Sequence, residues 1–171
     1  MKDELLWSLL GGVIATIFNV IYNYIAAARQ RRWTIAAEVT GKLDFYYLLL
    51  VKVLAHLESV FDDQQCALTE DEWREVKIDS TLLFVDEQKI RAEVDIVYGV
   101  DSQESSEFDE VFGLLKTSLS TALGVTNKPA WDEKKANLKQ VQQQLATLRP
   151  ACRKKLVNGA RLWPILKSRV T

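Results

Sequence analysis

The feature that most constrains this chain is an uncharged, strongly apolar stretch near its start, residues 5–28. As an α-helix, this stretch would extend about 36 Å, against roughly 30 Å for the hydrocarbon core of a bilayer. Helices in soluble cores seldom run so long without one charge. We therefore predict a transmembrane helix, with the anchor and its basic flank in residues 1–33 and a helical domain in residues 34–171.

The charges beside this stretch predict its orientation. One basic and two acidic residues precede it, whereas three arginines follow it closely: Arg29, Arg31 and Arg32. Basic flanks are retained on the cytoplasmic side of a membrane. We therefore expect a single-pass protein of a cell inner membrane, with its amino terminus outside and its helical domain in the cytoplasm.

Two alternatives concern this membrane topology. Ala26, Ala27 and Ala28 resemble the cleavage site of a signal peptide, although signal peptides carry their positive charge before a shorter apolar region. Residues 43–57 are also strongly apolar and could form a second span. They are short for a crossing and contain Asp44, Lys52 and His56, so we interpret them as a buried core helix.

Within the anchor, polar and small residues recur at three- and four-residue spacing, which places them on one helical stripe. They are Ser8, Gly12, Thr16, Asn19 and Asn23. Small residues allow close approach of helix backbones, and amides bond across helices in lipid. We therefore predict self-association through Gly12, Thr16, Asn19 and Asn23. The alternative is that Thr16 bonds its own backbone and Asn23 lies among the lipid headgroups.

The remaining sequence predicts an all-α bundle. Residues 30–61 continue the anchor as one helix, and apolar residues on most of its sides indicate a central position: Phe45, Leu48, Leu49, Val51, Val53 and Leu57. Thr69 and Glu72 form a capping box that starts a short helix, and Ser106 with Asp109 forms another. Apolar residues from Val111 to Ala122 then line a helix that ends at Gly124. Pro150 suits the first turn of a separate last helix. Pro164 should end or kink that helix.

The stretch of residues 76–98 is ambiguous. Lys89 to Ile96 alternate strictly between polar and apolar residues, which is the period of a strand. The same residues place Ile90, Val94 and Val97 on one side of a helix, with Asp86 as its N-cap. We choose the helix, and an α+β fold with a hairpin of residues 76–85 and 89–98 is the alternative.

Charge is segregated along the chain although the net charge is only −1. Residues 58–110 carry 17 acidic and four basic residues, and residues 128–171 carry 11 basic and two acidic ones. Either these stretches face each other within one domain, or the basic one binds an anionic partner.

The basic region interleaves with apolar residues and Trp163, as in segments that lie on anionic lipid. Lys167 and Arg169 extend it towards the end of the chain. It lacks the aromatic platforms and glycine loops of specific nucleic-acid sites, so nucleic acid is not an expected partner. The residues that we single out for an anionic ligand or lipid are Arg149, Arg153, Lys154, Lys155 and Arg161.

The residues that carry enzymatic chemistry are sparse in this sequence. It has one histidine, His56, on an apolar helix, and two isolated cysteines, Cys66 and Cys152. It contains no phosphate-binding glycine motif, no HExxH and no GxSxG. We therefore expect no enzyme, no catalytic residue, no metal and no cofactor.

The order of these features resembles small bacterial single-pass membrane proteins of unknown function. The matching residues are the apolar stretch up to Ala28, the cluster Arg29-Gln30-Arg31-Arg32 and the LTEDEW segment from Leu68 to Trp73. Some proteins of similar layout look like membrane effectors of antiviral systems. The resemblance implies either a self-associating protein whose cytoplasmic domain binds a partner protein, or a ligand-gated, membrane-disrupting or pore-forming effector of bacterial antiviral defence.

The predicted orientation is tested by topology reporters. Alkaline phosphatase, active only outside the cytoplasm, and a cytoplasmically active fluorescent protein are each fused after Thr171. The three arginines should hold the domain inside, so only the fluorescent fusion should be active. An active phosphatase fusion would contradict this orientation.

Overall fold

The computed structural model describes the backbone of residues 2–62 and 68–161 and the side chains of residues 10–62 and 68–160. It contains four helices: α1 (Lys2–Asp62), α2 (Glu70–Tyr98), α3 (Gln103–Leu123) and α4 (Lys128–Arg161). The predicted all-α class is thus confirmed for the described part of the chain. Several features discussed above lie outside it: Cys66, the side chains of Ser8 and Arg161, and residues 162–171 with Trp163, Pro164, Lys167 and Arg169.

The four helices form an antiparallel bundle in which α1 packs against all three others. The connections α2–α3, residues 99–102, and α3–α4, residues 124–127, are short, so successive helices run in opposite directions. Near residue 44 of α1 lies residue 149 of α4, and residue 62 lies near residue 128. The carboxyl end of α4 therefore returns to the part of α1 that follows the arginine cluster.

A strict alternation of three- and four-residue spacings explains why α1 is the central helix. Side chains at these positions point to one side of a helix and interlock with facing helices. The buried members are Ala36, Val39, Leu43, Tyr46, Leu50, Val53 and Leu57. Residues 43–57 thus lie in the bundle core, as the core-helix interpretation expected. Phe45 and Leu48 were wrongly assigned to this buried surface, because they point outward and are 45% and 57% exposed.

The same spacing recurs in the other three helices, which explains their mutual fit. In α3 these buried positions again alternate by three and four residues, and in α2 they do so except for one seven-residue interval from Leu83 to Ile90. In α4 they recur every seven from Trp131 to Cys152. They include Val76, Ser80, Leu83, Ile90, Val94 and Val97 in α2; Ser105, Phe108, Phe112, Leu115, Leu119 and Ala122 in α3; and Trp131, Leu138, Leu145 and Cys152 in α4.

Residues 76–98 form helix throughout, so the alternative hairpin is wrong. The alternation from Lys89 to Ile96 has a helical explanation, because Arg91 and Asp95 reach α3 and Lys89 pairs with Glu93 within α2. Arg91 donates to Asp109 at 2.7 Å, and Asp95 accepts from Ser105 at 2.5 Å. Asp86 lies inside α2 rather than at its N-cap.

The helix boundaries confirm one predicted cap and correct another. Thr69 and Glu72 form the expected capping box, but the helix that follows has 29 residues and is not short. Helix α3 begins after Ser102, whose hydroxyl accepts from the Ser105 N–H at 3.0 Å, so Ser106 is not its N-cap. Gly99 reverses the chain with φ of 98°, which allows this earlier start. The predicted end of α3 at Gly124 is confirmed.

Pro150 lies inside α4 and does not begin a separate helix. Proline removes one backbone hydrogen bond, a cost that packing on both sides can offset. Leu145 and Cys152 flank Pro150 and are buried in the core, whereas Pro150 itself is exposed. The bundle therefore keeps the helix continuous through this position.

His56 of α1 contacts Leu68, just before α2, and Trp73 in the first turns of α2. Its ring stacks on Trp73 at a centroid distance of 4.3 Å, and its Nδ1 accepts from the Leu68 N–H at 3.1 Å. Burial lowers the pKa of His56 below 6.5, and the nearby Lys77 ammonium acts in the same direction. The folded state therefore favours the neutral form of the His56 imidazole.

At the far end of the bundle, Asp62 links α1 to α4. Its carboxylate accepts from Lys135 at 2.8 Å and from the Trp131 indole N–H at 2.9 Å, and it also pairs with Lys128. These hydrogen bonds, that from Lys128 first, hold the pKa of Asp62 well below its usual range. The Trp131 side chain is completely buried, so this link is anchored in the core.

Replacing Trp131 by Ala should therefore destabilise the bundle by roughly 3–5 kcal/mol, the usual cost of removing a large buried aromatic ring. Trp131→Phe keeps most of the volume and should cost less. Denaturant unfolding of the full chain in detergent, followed by circular dichroism, measures both. Gln140→Ala, at an exposed position of the same helix, is the control. Equal losses of stability in Trp131→Ala and Gln140→Ala would contradict this role of the ring.

Stability should also depend on pH through the single histidine. Because its folded pKa is lower than its unfolded pKa, the folded state binds fewer protons. The contribution of His56 to stability should therefore be constant above about pH 6.5 and fall as the pH decreases below it. Unfolding at about pH 7.5 and 5.5 measures this slope. His56→Phe retains an aromatic ring without titrating, so an unchanged slope in this variant would refute the assignment.

Candidate functional site

The first part of α1 extends away from the bundle. Side chains from Leu10 to Ile21 are exposed, and the large apolar ones among them are 46–68% exposed. By length and composition, α1 is apolar enough to cross a membrane, with an 18-residue window of mean hydropathy 1.5 and no buried residue in it. The first buried core residue is Ile35. A large apolar surface without a partner within the fold needs lipid or another chain to cover it.

The predicted association stripe lies on one side of this extension, and part of its polarity is satisfied within the helix. The Thr16 hydroxyl donates to the Gly12 carbonyl at 2.8 Å, as the intrahelical alternative expected. The Asn23 amide donates to the Asn19 side-chain oxygen at 3.2 Å. Nothing lies within 4 Å of the position where a Cβ on Gly12 would be. The stripe is therefore accessible to a neighbouring helix.

Much of the segregated charge pairs within the bundle. On α4, Lys135 contacts Asp62, Lys139 contacts Glu58 and Lys155 contacts Glu107. The partners lie on α1 and α3, so the interpretation that acidic and basic stretches face each other is correct for these pairs. The acidic first turn of α2 is different, because Glu70, Asp71 and Glu72 are exposed.

The structure separates the five basic residues predicted for an anionic ligand. Arg149 donates to Asp44 at 2.9 Å and lies 4.3 Å from the centre of the Tyr47 ring, and Lys155 pairs with Glu107. Arg153 approaches the same Asp44 only at 3.6 Å, with 62% of its side chain exposed. Lys154 is exposed. Arg161 ends α4, with its side chain outside the described part.

Arg153 and Lys154 contribute to a groove between α1 and α4, which we call the α1–α4 groove. It has a volume of about 520 Å³ and is open to solvent. Its lining residues are Trp33, Ala37, Thr40, Pro150, Arg153, Lys154, Val157 and Asn158, and none of these is acidic. Sequence reasoning missed the contribution of α1, because only the antiparallel return of α4 brings the two helices together here.

A second surface that sequence reasoning missed is the outer face of α2. Ile78, Leu82 and Val85 lie at helical spacing and are 57%, 48% and 69% exposed, and Ile96 on the same side is 70% exposed. They form a second apolar stripe on the side of α2 roughly opposite the buried one of Val76 and Leu83. The signal was visible in the spacing, but one stripe of this helix had already been assigned to the core.

Two further observations on the described residues concern metal binding and thiol reactivity. No three His, Cys, Asp or Glu side chains there lie close enough together to hold a metal ion. Cys152 is buried, and burial raises the pKa of its thiol to about 12, so it is a weak nucleophile at neutral pH.

Comparisons with known proteins give no match to this arrangement. No protein-family model matches the chain, and neither the curated proteins nor the solved structures contain a significant match. Function therefore has to be inferred from the surfaces described above.

Proposed function

We propose that this chain is a non-enzymatic, self-associating membrane protein whose cytoplasmic bundle binds a partner protein. The observation that carries the proposal is the continuity of α1. One helix provides both an exposed, uncharged apolar extension and the central core helix of the bundle. Inserting the extension into a bilayer would remove its apolar surface from water, which is favourable by roughly 25 cal/mol per Å².

The arginine cluster supports a cytoplasmic location for the bundle. Arg29, Arg31 and Arg32 stand between the apolar extension and Ile35, where the core begins. Basic residues at this position resist translocation. Because the helix is unbroken, the bundle would be held directly beneath the membrane without a flexible linker.

The position of the polar stripe supports self-association, since the bundle does not obstruct it. Gly12 and Leu48 are separated by about ten turns of an ideal α-helix and so point in nearly the same direction. Leu48 lies on the exposed side of α1 together with Gly41 and Phe45. A second copy could therefore approach along the stripe without colliding with α2, α3 or α4.

The outer face of α2 supports the partner-binding part of the proposal. Its exposed apolar stripe, Ile78, Leu82 and Val85, is of the kind that receives an amphipathic helix. Glu70 and Asp71 precede this stripe and are exposed. The surface therefore fits a protein segment with an apolar side and a basic end.

A second function, a ligand-gated membrane-disrupting or pore-forming effector of antiviral defence, is favoured by the exposed Arg153 and Lys154 close to the carboxyl end of α4. The two functions differ in their effect on the cell. Growth arrest and loss of membrane potential on overexpression would favour the effector. A protein that co-purifies with the chain, and is lost from Leu82→Glu, would favour partner binding.

The self-association is tested by changing Gly12 and Asn19 together to Leu. This removes the close-approach site and one amide, each interhelical polar contact being worth about 0.6–2 kcal/mol. The signal in a membrane two-hybrid assay should fall several-fold.

A matched control is available on the opposite side of the helix. Ile14 and Ile21 have the same seven-residue separation, and changing both to Leu should leave the signal unchanged. An undiminished signal in the Gly12/Asn19 variant, at equal expression, would remove self-association through this stripe.

A further inference from the structure

We infer that the α1–α4 groove is a binding site for a phosphate group carried on an organic molecule. This inference stands independently of self-association and partner binding, because it rests on the lining of the groove. The groove combines two cations with apolar and aromatic lining residues, a combination that suits a phosphate joined to an uncharged body.

The two basic residues of the groove, Arg153 and Lys154, are able to bind a ligand anion. Arg153 is held by Asp44 only at 3.6 Å, whereas Arg149 holds the same carboxylate at 2.9 Å. Asp44 therefore stays neutralised when Arg153 turns towards a ligand. Lys154 adds a second positive charge, and the Asn158 side chain adds a neutral hydrogen-bonding group. Phosphate oxygens accept charge-assisted hydrogen bonds from such donors.

The remaining walls suit the organic part of the ligand. Trp33, Ala37, Val157 and Pro150 present apolar surface, and the Trp33 side chain is 36% exposed. Thr40 forms part of the lining, with its hydroxyl donated to the Ala37 carbonyl at 3.1 Å. Inorganic phosphate would contact the basic residues and leave most of this lining uncovered. An organic phosphate therefore fits the groove better.

The position of the groove along α1 favours a soluble source of this phosphate over a lipid, given the proposed membrane location. At 1.5 Å per residue, Trp33 lies about 7.5 Å beyond Ala28 and Thr40 about 18 Å beyond it. The headgroup layer of one leaflet is only about 5–8 Å thick. Arg153 approaches Asp44, which is farther still along α1, so the cations of the groove would lie beyond the phosphates of ordinary lipids and face the cytoplasm.

The test uses the full chain in nanodiscs of phosphatidylcholine, with adenosine 5′-monophosphate as the organic phosphate and inorganic phosphate for comparison. Calorimetry should detect the nucleotide binding more tightly than inorganic phosphate. Lys154→Gln should weaken nucleotide binding by about ten- to a hundredfold, the loss expected for a charge-assisted hydrogen bond. Lys134→Gln makes the same charge change about 30 Å away on α4 and should have no effect.

A second variant changes the shape of the groove without changing its charge. Ala37→Phe fills the groove but leaves both cations in place, so it should abolish nucleotide binding. Binding that survives Ala37→Phe, or that falls equally in Lys134→Gln, would overturn the site.

Nanodiscs with one phosphatidylglycerol in five lipids test the lipid source. Protection of residues 150–158 from hydrogen exchange, lost in Lys154→Gln, would keep the phosphate site but assign it to lipid. Failure of both the nucleotide and the anionic lipid to bind would overturn the inference.

Discussion

The structure depends on one unbroken helix that serves two different environments. Residues 10–28 of α1 carry no charge and are largely exposed, whereas the part from Ile35 onward buries a continuous side against α2, α3 and α4. A helix satisfies its own backbone hydrogen bonds in either environment, so only the side-chain pattern has to change. Because the helix does not break, the direction in which each anchor residue points is tied to the orientation of the bundle.

Electrostatics then decides which surfaces of the bundle remain available. The basic residues of α4 are largely neutralised by Asp44, Glu58, Asp62 and Glu107 on α1 and α3. Among the described residues, two surfaces that these ion pairs leave exposed are the basic α1–α4 groove near the arginine cluster and the apolar and acidic outer face of α2. The proposed protein site lies on α2 and the proposed phosphate site between α1 and α4, so the two do not share a helix.

Sequence reasoning succeeded where local chemistry dominates and failed where packing overrides it. The capping box of Thr69 and the end of α3 at Gly124 depend on neighbouring residues, and both were predicted correctly. The continuation of α4 through Pro150 depends on distant core contacts that offset a lost hydrogen bond. The alternation around Lys89 suggested a strand because pairing with α3 could not be seen. The outward position of Phe45 likewise required knowledge of which sides of α1 were already covered.

By itself, the sequence determined that the chain is helical, that an uncharged apolar helix precedes the bundle, and that polar residues line one side of that helix. Those properties follow from periodicity and composition, which are local. Only the tertiary structure decided which charged side chains form ion pairs within the bundle and which stay exposed. Ion pairs such as Asp44 with Arg149 join residues distant in the chain. The groove formed by Trp33 and Lys154 exists for the same reason: the antiparallel return of α4 brings together side chains that no sequence spacing relates.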